Sequence, residues 1–192
     1  MLLQVIRQFN WVDIFVIILL FRICYIAIKN GLVSELFKLS GTILAVYLSL
    51  HYYTFLSDIV RQRFITQKLS LEFLDFLCFV FLAVLGYLAL VILRQVFSYF
   101  IKMEALPLLN KWGGLILGIS RGFLLSSLVI FVLFISSITY LKNSVIDSYF
   151  GRRLFKIAPT TYGKVWFGFA SKFIPQEKYN STIQEVEQGL KK

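Results

Sequence analysis

Four apolar runs, each long enough to cross a bilayer, constrain this chain more than any other feature. A hydrocarbon core of about 30 Å is spanned by roughly 20 helical residues. The first run extends from about Val12 to Ile28, with Trp11 and Asp13 at its start. The second extends from Leu32 or Ser34 to Tyr53 and closes on "HYY". The third covers about Phe73 to Phe100, and the fourth about Leu115 to Leu141. The expected fold is all-α: a polytopic membrane protein with four transmembrane helices over residues 1–142. A basic, aromatic C-terminal tail, amphipathic and interfacial or cytoplasmic, is expected over 143–192.

Composition removes the soluble alternative. Charged residues make up 16% of the chain, against roughly 25% in soluble domains. A small soluble domain leaves much of its surface wet and could not hide 20 Phe and 10 Tyr. The net charge of +10 is spread between and after the apolar runs, as expected beside anionic lipid headgroups. No basic domain stands apart from the membrane segments, so nucleic acid is not an expected partner. Cys24 and Cys78 lie inside apolar runs and read as packing residues. The N-terminal run has no small-residue cleavage site behind it and reads as a retained helix.

The connections are polar. "TFLSDIVRQRFITQKLSLE" joins the second and third runs, with Ile59, Phe64 and Leu69 suited to the membrane surface. "IKMEALPLLNKWGG" joins the third and fourth and reads as a turn from Pro107 and the Gly113–Gly114 pair. After Lys142, Trp166, Ala170 and Phe173 fall at i, i+4, i+7. That pattern, with Lys164 and Lys172 on other faces, suits an interfacial helix or a partner-binding one. The last residues read as an exposed short helix or frayed end. Lys and Arg placement favours both termini inside, with Arg7, Arg61, Arg63, Lys68 and the tail in the cytoplasm. Lys29, Lys38, Lys102 and Lys111 then lie outside.

Charges inside the runs are costly, about 2.5–3.5 kcal/mol at the bilayer centre on insertion scales. Asp13, Arg22, Gly31, Glu35 and Arg121 are the five candidates for a functional or structural polar set. Asp75 and Arg94 can reach the headgroup level. If the first two runs form a hairpin turning near Asn30, Arg22 comes about 4.5 Å deeper than Glu35, which predicts an Arg22–Glu35 pair. Small residues form two stripes with spacing four, Gly41, Ala45, Ser49 and Gly114, Gly118, Gly122, Ser126. Residues four apart share a helix face, and small residues let helices approach in lipid. The second and fourth helices are therefore expected to pack along these stripes, or to use them in a homodimer. A short echo between "KNGLVSEL" and "SRGFLLSSL" raises a parallel repeat.

Catalysis has little material. The single histidine, His51, stands beside Tyr52 and Tyr53 and reads as part of an interfacial aromatic belt. No second histidine serves a Ser-His-Asp or zinc site. No catalytic residue, cofactor or metal is expected.

"NWVDIFVIILL", Gly31, "SELFKLSG" and "HYYTFLS" resemble the first half of the colicin V production protein (CvpA) family. Asp13 opens the first helix, Gly31 follows eighteen residues on, and Glu35 four later. "NKWGGLILGISRG" is similar to that family's later motif. The resemblance covers about residues 10–140. Asn110 and Lys111 stand where an Asp-Arg pair is usual, and Arg22 and Cys24 replace residues commonly small or apolar. The resemblance implies a bacterial inner-membrane protein associated with production or export of a peptide toxin, and with envelope upkeep. Some members carry a secreted-side serine protease domain, which is not expected in this chain.

Two functions follow. The first is a non-enzymatic accessory or scaffold protein, working through anionic headgroups, protein partners or a homo-oligomer. The second is a small oligomeric transporter or channel, with Arg22, Glu35 and Arg121 lining a polar path.

Overall fold

The computed structural model describes residues 9–64, 70–100, 107–174 and 176–190. Among these residues there is no β-strand. Three helices are long and apolar enough to cross a membrane. They are α1 (Trp11–Phe64), α2 (Leu71–Phe100) and α3 (Pro107–Ile135). The short helices α4 (Thr139–Asp147), α5 (Tyr149–Leu154) and α6 (Ile157–Val165) follow. A π-helical stretch, Trp166–Ala170, runs into α7 (Ser171–Phe173), and α8 (Thr182–Gly189) closes the fold. Arg7, Lys68 and Lys102, on which the orientation expectation partly rests, lie outside the described residues, as does Leu69.

α1 is two helices in series. Gly31 adopts φ +78° and ψ 172°, a conformation open to glycine because it has no Cβ. We term the arms α1a (residues 11–30) and α1b (residues 32–64). The arms double back along α3. Asp13, near the start of α1a, bonds Phe150, while His51 of α1b meets Tyr162. In one straight helix these two residues would lie about 57 Å apart at 1.5 Å per residue, far beyond the reach of the short helices α5 and α6.

Glycines set the packing. α1a runs antiparallel to α3: Gly114 faces Ala27 and Gly31, Gly118 faces Ala27, and Gly122 faces Leu20 and Ile23. A methyl group added to Gly118 would lie 2.2 Å from Ala27 Cβ. α1b runs antiparallel to α2: Gly86 abuts the backbone of Ala45, and Gly41 faces Leu90. The two small stripes therefore do not face each other, contrary to the expectation from sequence. The glycines of α3 receive α1a, and Gly41 and Ala45 receive α2. Ser49 is buried and donates to the Val46 carbonyl at 3.3 Å, and Ser126 is buried in α3. Spacing identified the contact faces but not their partners, and Gly86 was not singled out at all. The echo between residues 29–36 and 120–128 is not a structural repeat, because Gly31 breaks a helix and Gly122 lies inside one.

Helix ends also differ from expectation. α1b continues past Tyr53 to Phe64, and α3 stops at Ile135 rather than near Leu141. Ser136 donates to the Leu133 carbonyl at 2.7 Å, a local bond that competes with helix continuation.

The tail is not a separate unit. Val145, Leu154, Phe155, Ala158, Tyr162, Trp166 and Ile183 share one core with Val12, Val16, Leu50, Tyr53, Phe79 and Phe131. Phe155 lies 5.3 Å from both Phe131 and Phe134, centroid to centroid. Of the expected interfacial face, Trp166 and Ala170 are buried and Phe173 is exposed. α8, expected to be exposed or frayed, buries Ile183.

Substitution tests this packing. Gly118→Leu and Gly86→Leu force atoms onto a neighbouring helix, and each should lower stability by about 1–3 kcal/mol or more. A Cβ at Gly163 meets nothing within 4 Å, so Gly163→Ala should be neutral or stabilising by up to about 1 kcal/mol. Thermal unfolding in detergent distinguishes the two outcomes.

Candidate functional site

The break at Gly31 creates the first polar problem. The N–H groups that open α1b have no partner within their own helix. Asn110, in the first turn of α3, supplies one: its Oδ1 accepts from Leu32 N at 2.7 Å. Gly31 leaves room for it, since a Cβ there would lie 2.3 Å from that same oxygen.

One turn further on stands Glu35, with 0% of its surface exposed. Its Oε1 accepts from Asn30 Nδ2 at 3.1 Å and from Lys38 Nζ at 3.0 Å. Its Oε2 lies 3.1 Å from Arg121 Nη1. This last contact is Coulombic rather than a directed hydrogen bond. Glu35 Oε2 and Arg121 Nε are both buried without a hydrogen-bond partner among the described residues. The Ser126 hydroxyl is in the same state. Ser34, on the same helical turn as Glu35, accepts from Arg94 of α2. The knot thus joins α1a, α1b, α2 and α3 where the hairpin turns.

The expected Arg22–Glu35 pair does not form. Arg22 is exposed on α1a. Reflection about the hairpin gives depth but not helix rotation. Ile23 and Ala27 are the buried residues beside α3, and Arg22, about 100° from Ile23 around the helix, points elsewhere. Arg121 supplies the cation instead. Of the five polar candidates, Gly31, Glu35 and Arg121 come together, while Asp13 and Arg22 do not join them.

Asp13 works at the opposite end of α1a. It is fully buried. Its Oδ2 accepts from Asn10 N at 2.9 Å. Its Oδ1 accepts from Ser148 Oγ at 2.6 Å and from Phe150 N at 2.7 Å. Ser148 is the N-cap of α5 and accepts from Gly151 N at 2.8 Å. One carboxylate therefore caps its own helix and the start of α5, where backbone N–H groups favour negative charge.

His51 forms a site that sequence reading missed. It is buried rather than part of an exposed belt. Nδ1 lies 2.8 Å from the Tyr162 hydroxyl, and Nε2 lies 2.9 Å from Glu177 Oε2. Tyr52 donates to Glu177 at 2.9 Å, and Asn180 N donates to Tyr162 at 3.2 Å. The Trp166 and Tyr47 rings stack on the imidazole at 4.8 and 5.4 Å. A neutral His51 with its proton on Nε2 satisfies the whole set: Tyr162 donates to Nδ1, and Nε2–H donates to Glu177. Burial pushes the Tyr162 phenol up to about 12. Glu177 lies 126 residues from His51, so no local pattern could have linked them. Among the described residues, no three His, Cys, Asp or Glu converge as a metal site would require.

A family model described as Colicin V production protein matches residues 12–159. The match takes in Asp13, Gly31, Glu35, Asn110 and Arg121. It also runs past Lys142 to include Ser148 and Gly151, which close the Asp13 network. No curated protein and no solved structure matches the chain.

Breaking a buried pair by removing one partner costs about 3–5 kcal/mol, whereas replacing both by apolar residues is often close to neutral. Glu35→Leu and Arg121→Leu should each fall in that range, and the double variant should recover much of the loss in detergent unfolding. Lys38 retains a cation at the site, so full recovery is not expected. Tyr162 stays protonated in the folded chain when the unfolded chain, at 10.0, has begun to ionise. Its contribution is therefore complete below pH 10 and lost as pH rises towards 12. Trp166 fluorescence should report the tail loosening over that window, and Tyr162→Phe should reduce the pH dependence.

Proposed function

The chain belongs to the colicin V production protein family, and on that premise we propose that it is a non-enzymatic accessory protein of the bacterial inner membrane. It holds or places partners during production or export of a colicin V-type peptide toxin where a strain carries one, and serves envelope upkeep more generally. In this reading α1a, α1b, α2 and α3 each cross the bilayer. Both termini face the cytoplasm. Arg152, Arg153, Lys156 and Lys164 lie on the tail, at the same end of the bundle as Arg61 and Arg63.

One observation carries this reading. Glu35 is closed off from solvent and spends its charge joining helices, with cations from α1b and α3 and an amide from α1a. A carboxylate that serves a conduit is expected to face a water-filled cavity. The unpartnered Arg121 Nε and Ser126 Oγ favour a second reading, a small oligomeric transporter or channel in which this pair opens during a cycle.

Flux measurements on purified protein in liposomes separate the two. The accessory reading expects no ion or small-solute flux above that of empty vesicles, and no change with Glu35→Gln. Flux that is abolished by Glu35→Gln would establish the transporter instead.

A further inference from the structure

Beside the start of α2 and the end of α3, the tail encloses a polar cavity of about 570 Å³. Tyr53 of α1b lines it, with Glu72 and Asp75 of α2 and Phe134 and Ile135 of α3. Further walls come from Lys142 of α4 and from Glu185 and Val186 of α8. Charge here runs against that of the whole chain. The chain has 20 Lys and Arg against 10 Asp and Glu, yet three carboxylates stand against one cation in this cavity. Glu72 and Glu185 are exposed and Asp75 is half-buried. Asp75 accepts from Ser57. Among the described residues, none of the three is ion-paired. Lys142 instead sits over the Phe134 ring, 5.2 Å from its centre.

Carboxylates that reach water assign nothing by themselves, but Tyr53 does. It is 1% exposed, its ring is held edge-on against Phe79 at 5.6 Å, and its hydroxyl has no hydrogen-bond partner among the described residues. A buried hydroxyl left unmet is costly. Asp75 and Glu185, on two different walls, both act electrostatically on this hydroxyl, so it is aimed between them. Glu72 stands one turn away from Asp75 on the same face of α2.

This arrangement selects the occupant. Among the described residues, no three acidic groups converge as a single metal ion would require. A water could meet Tyr53 but brings no charge to offset the carboxylates. An ammonium group carries charge and only donates hydrogen bonds, which suits carboxylates and a phenol oxygen alike. Phe134 already carries one such group, that of Lys142. Two separate anionic points, Glu72 and the Asp75–Glu185 pair, call for two ammonium groups. Phe134, Ile135 and Val186 offer apolar surface for the methylenes that join them.

We propose that this cavity binds a short aliphatic diamine, with one ammonium among Asp75, Glu185 and Tyr53 and the other at Glu72. The ligand then bridges α1b, α2 and α8 and ties the tail to the bundle. The site stands on its own walls and is independent of the accessory role.

Equilibrium dialysis of radiolabelled putrescine against the full chain in dodecyl maltoside tests it. One putrescine should bind per chain, and n-butylamine, with a single ammonium, should compete about fivefold more weakly than unlabelled putrescine. Glu72→Gln and Glu185→Gln, both at exposed positions, should each weaken binding by up to about fivefold. Lys142→Met removes the resident cation and should tighten binding by a similar factor. Tyr53→Phe should weaken binding about fivefold without lowering the melting temperature of the free protein, since it removes only an unmet hydroxyl. Should Tyr53→Phe fail to fold, the opposite shifts of Glu185→Gln and Lys142→Met decide. The site is overturned by a wild-type chain that binds no putrescine, or by n-butylamine or magnesium competing as well as putrescine does. It is equally overturned if Glu185→Gln and Lys142→Met both bind as wild type.

Discussion

The bundle depends on reversing a chain at Gly31 without leaving backbone groups unmet. The N–H groups that open a helix have no partner within it, and here the protein supplies one from another helix. Gly31 makes the turn and leaves space, and Asn110 enters that space to take the Leu32 N–H. Both functions belong to one contact. A side chain at residue 31 would strain the backbone and displace the acceptor at once. Asn110 sits in the first turn of α3, so capping α1b also fixes the register of α3 against the hairpin. That register brings Arg121 to Glu35.

Two modes of packing divide the molecule. Among the long helices, backbones approach through Gly86, Gly114, Gly118 and Gly122. Lipid gives no hydrophobic reward for association there, so close van der Waals contact has to provide it. At the other end, large rings fill the volume where the tail closes over the bundle. Phe79, Phe131 and Phe155 stack in sequence at 5.3 Å spacings. Asp13 ties the two regions together by capping α5 from the first turn of α1a.

The helices were legible because long apolar runs leave few other options, and Gly31 and Glu35 stood out as polar or flexible positions inside them. Pairing was less legible. Depth along a hairpin follows from counting residues, but rotation about each helix does not. Depth alone pointed to Arg22 as the partner of Glu35, and helix rotation gives that place to Arg121. The small stripes failed in the same way: spacing marks a face without naming what meets it. The tail was the largest gap. Its apolar spacing marked a helix face without saying that the bundle covers it, and its partners, such as His51 for Glu177 and Asp13 for Phe150, lie more than a hundred residues away.

Those long separations bear on how the chain matures. Synthesis proceeds from the N-terminus at roughly 5–20 residues per second, so α1a enters the membrane well before α5 exists. Until residues 148–150 emerge, the Asp13 carboxylate has only its local bond to Asn10 N, and the Phe131 and Tyr53 rings lack their cover. A nascent bundle is thus marked as unfinished by an uncapped acid and a bare aromatic face on the tail side. Arrival of the tail removes both marks together: Ser148 and Phe150 N reach Asp13, and Phe155 stacks on Phe131.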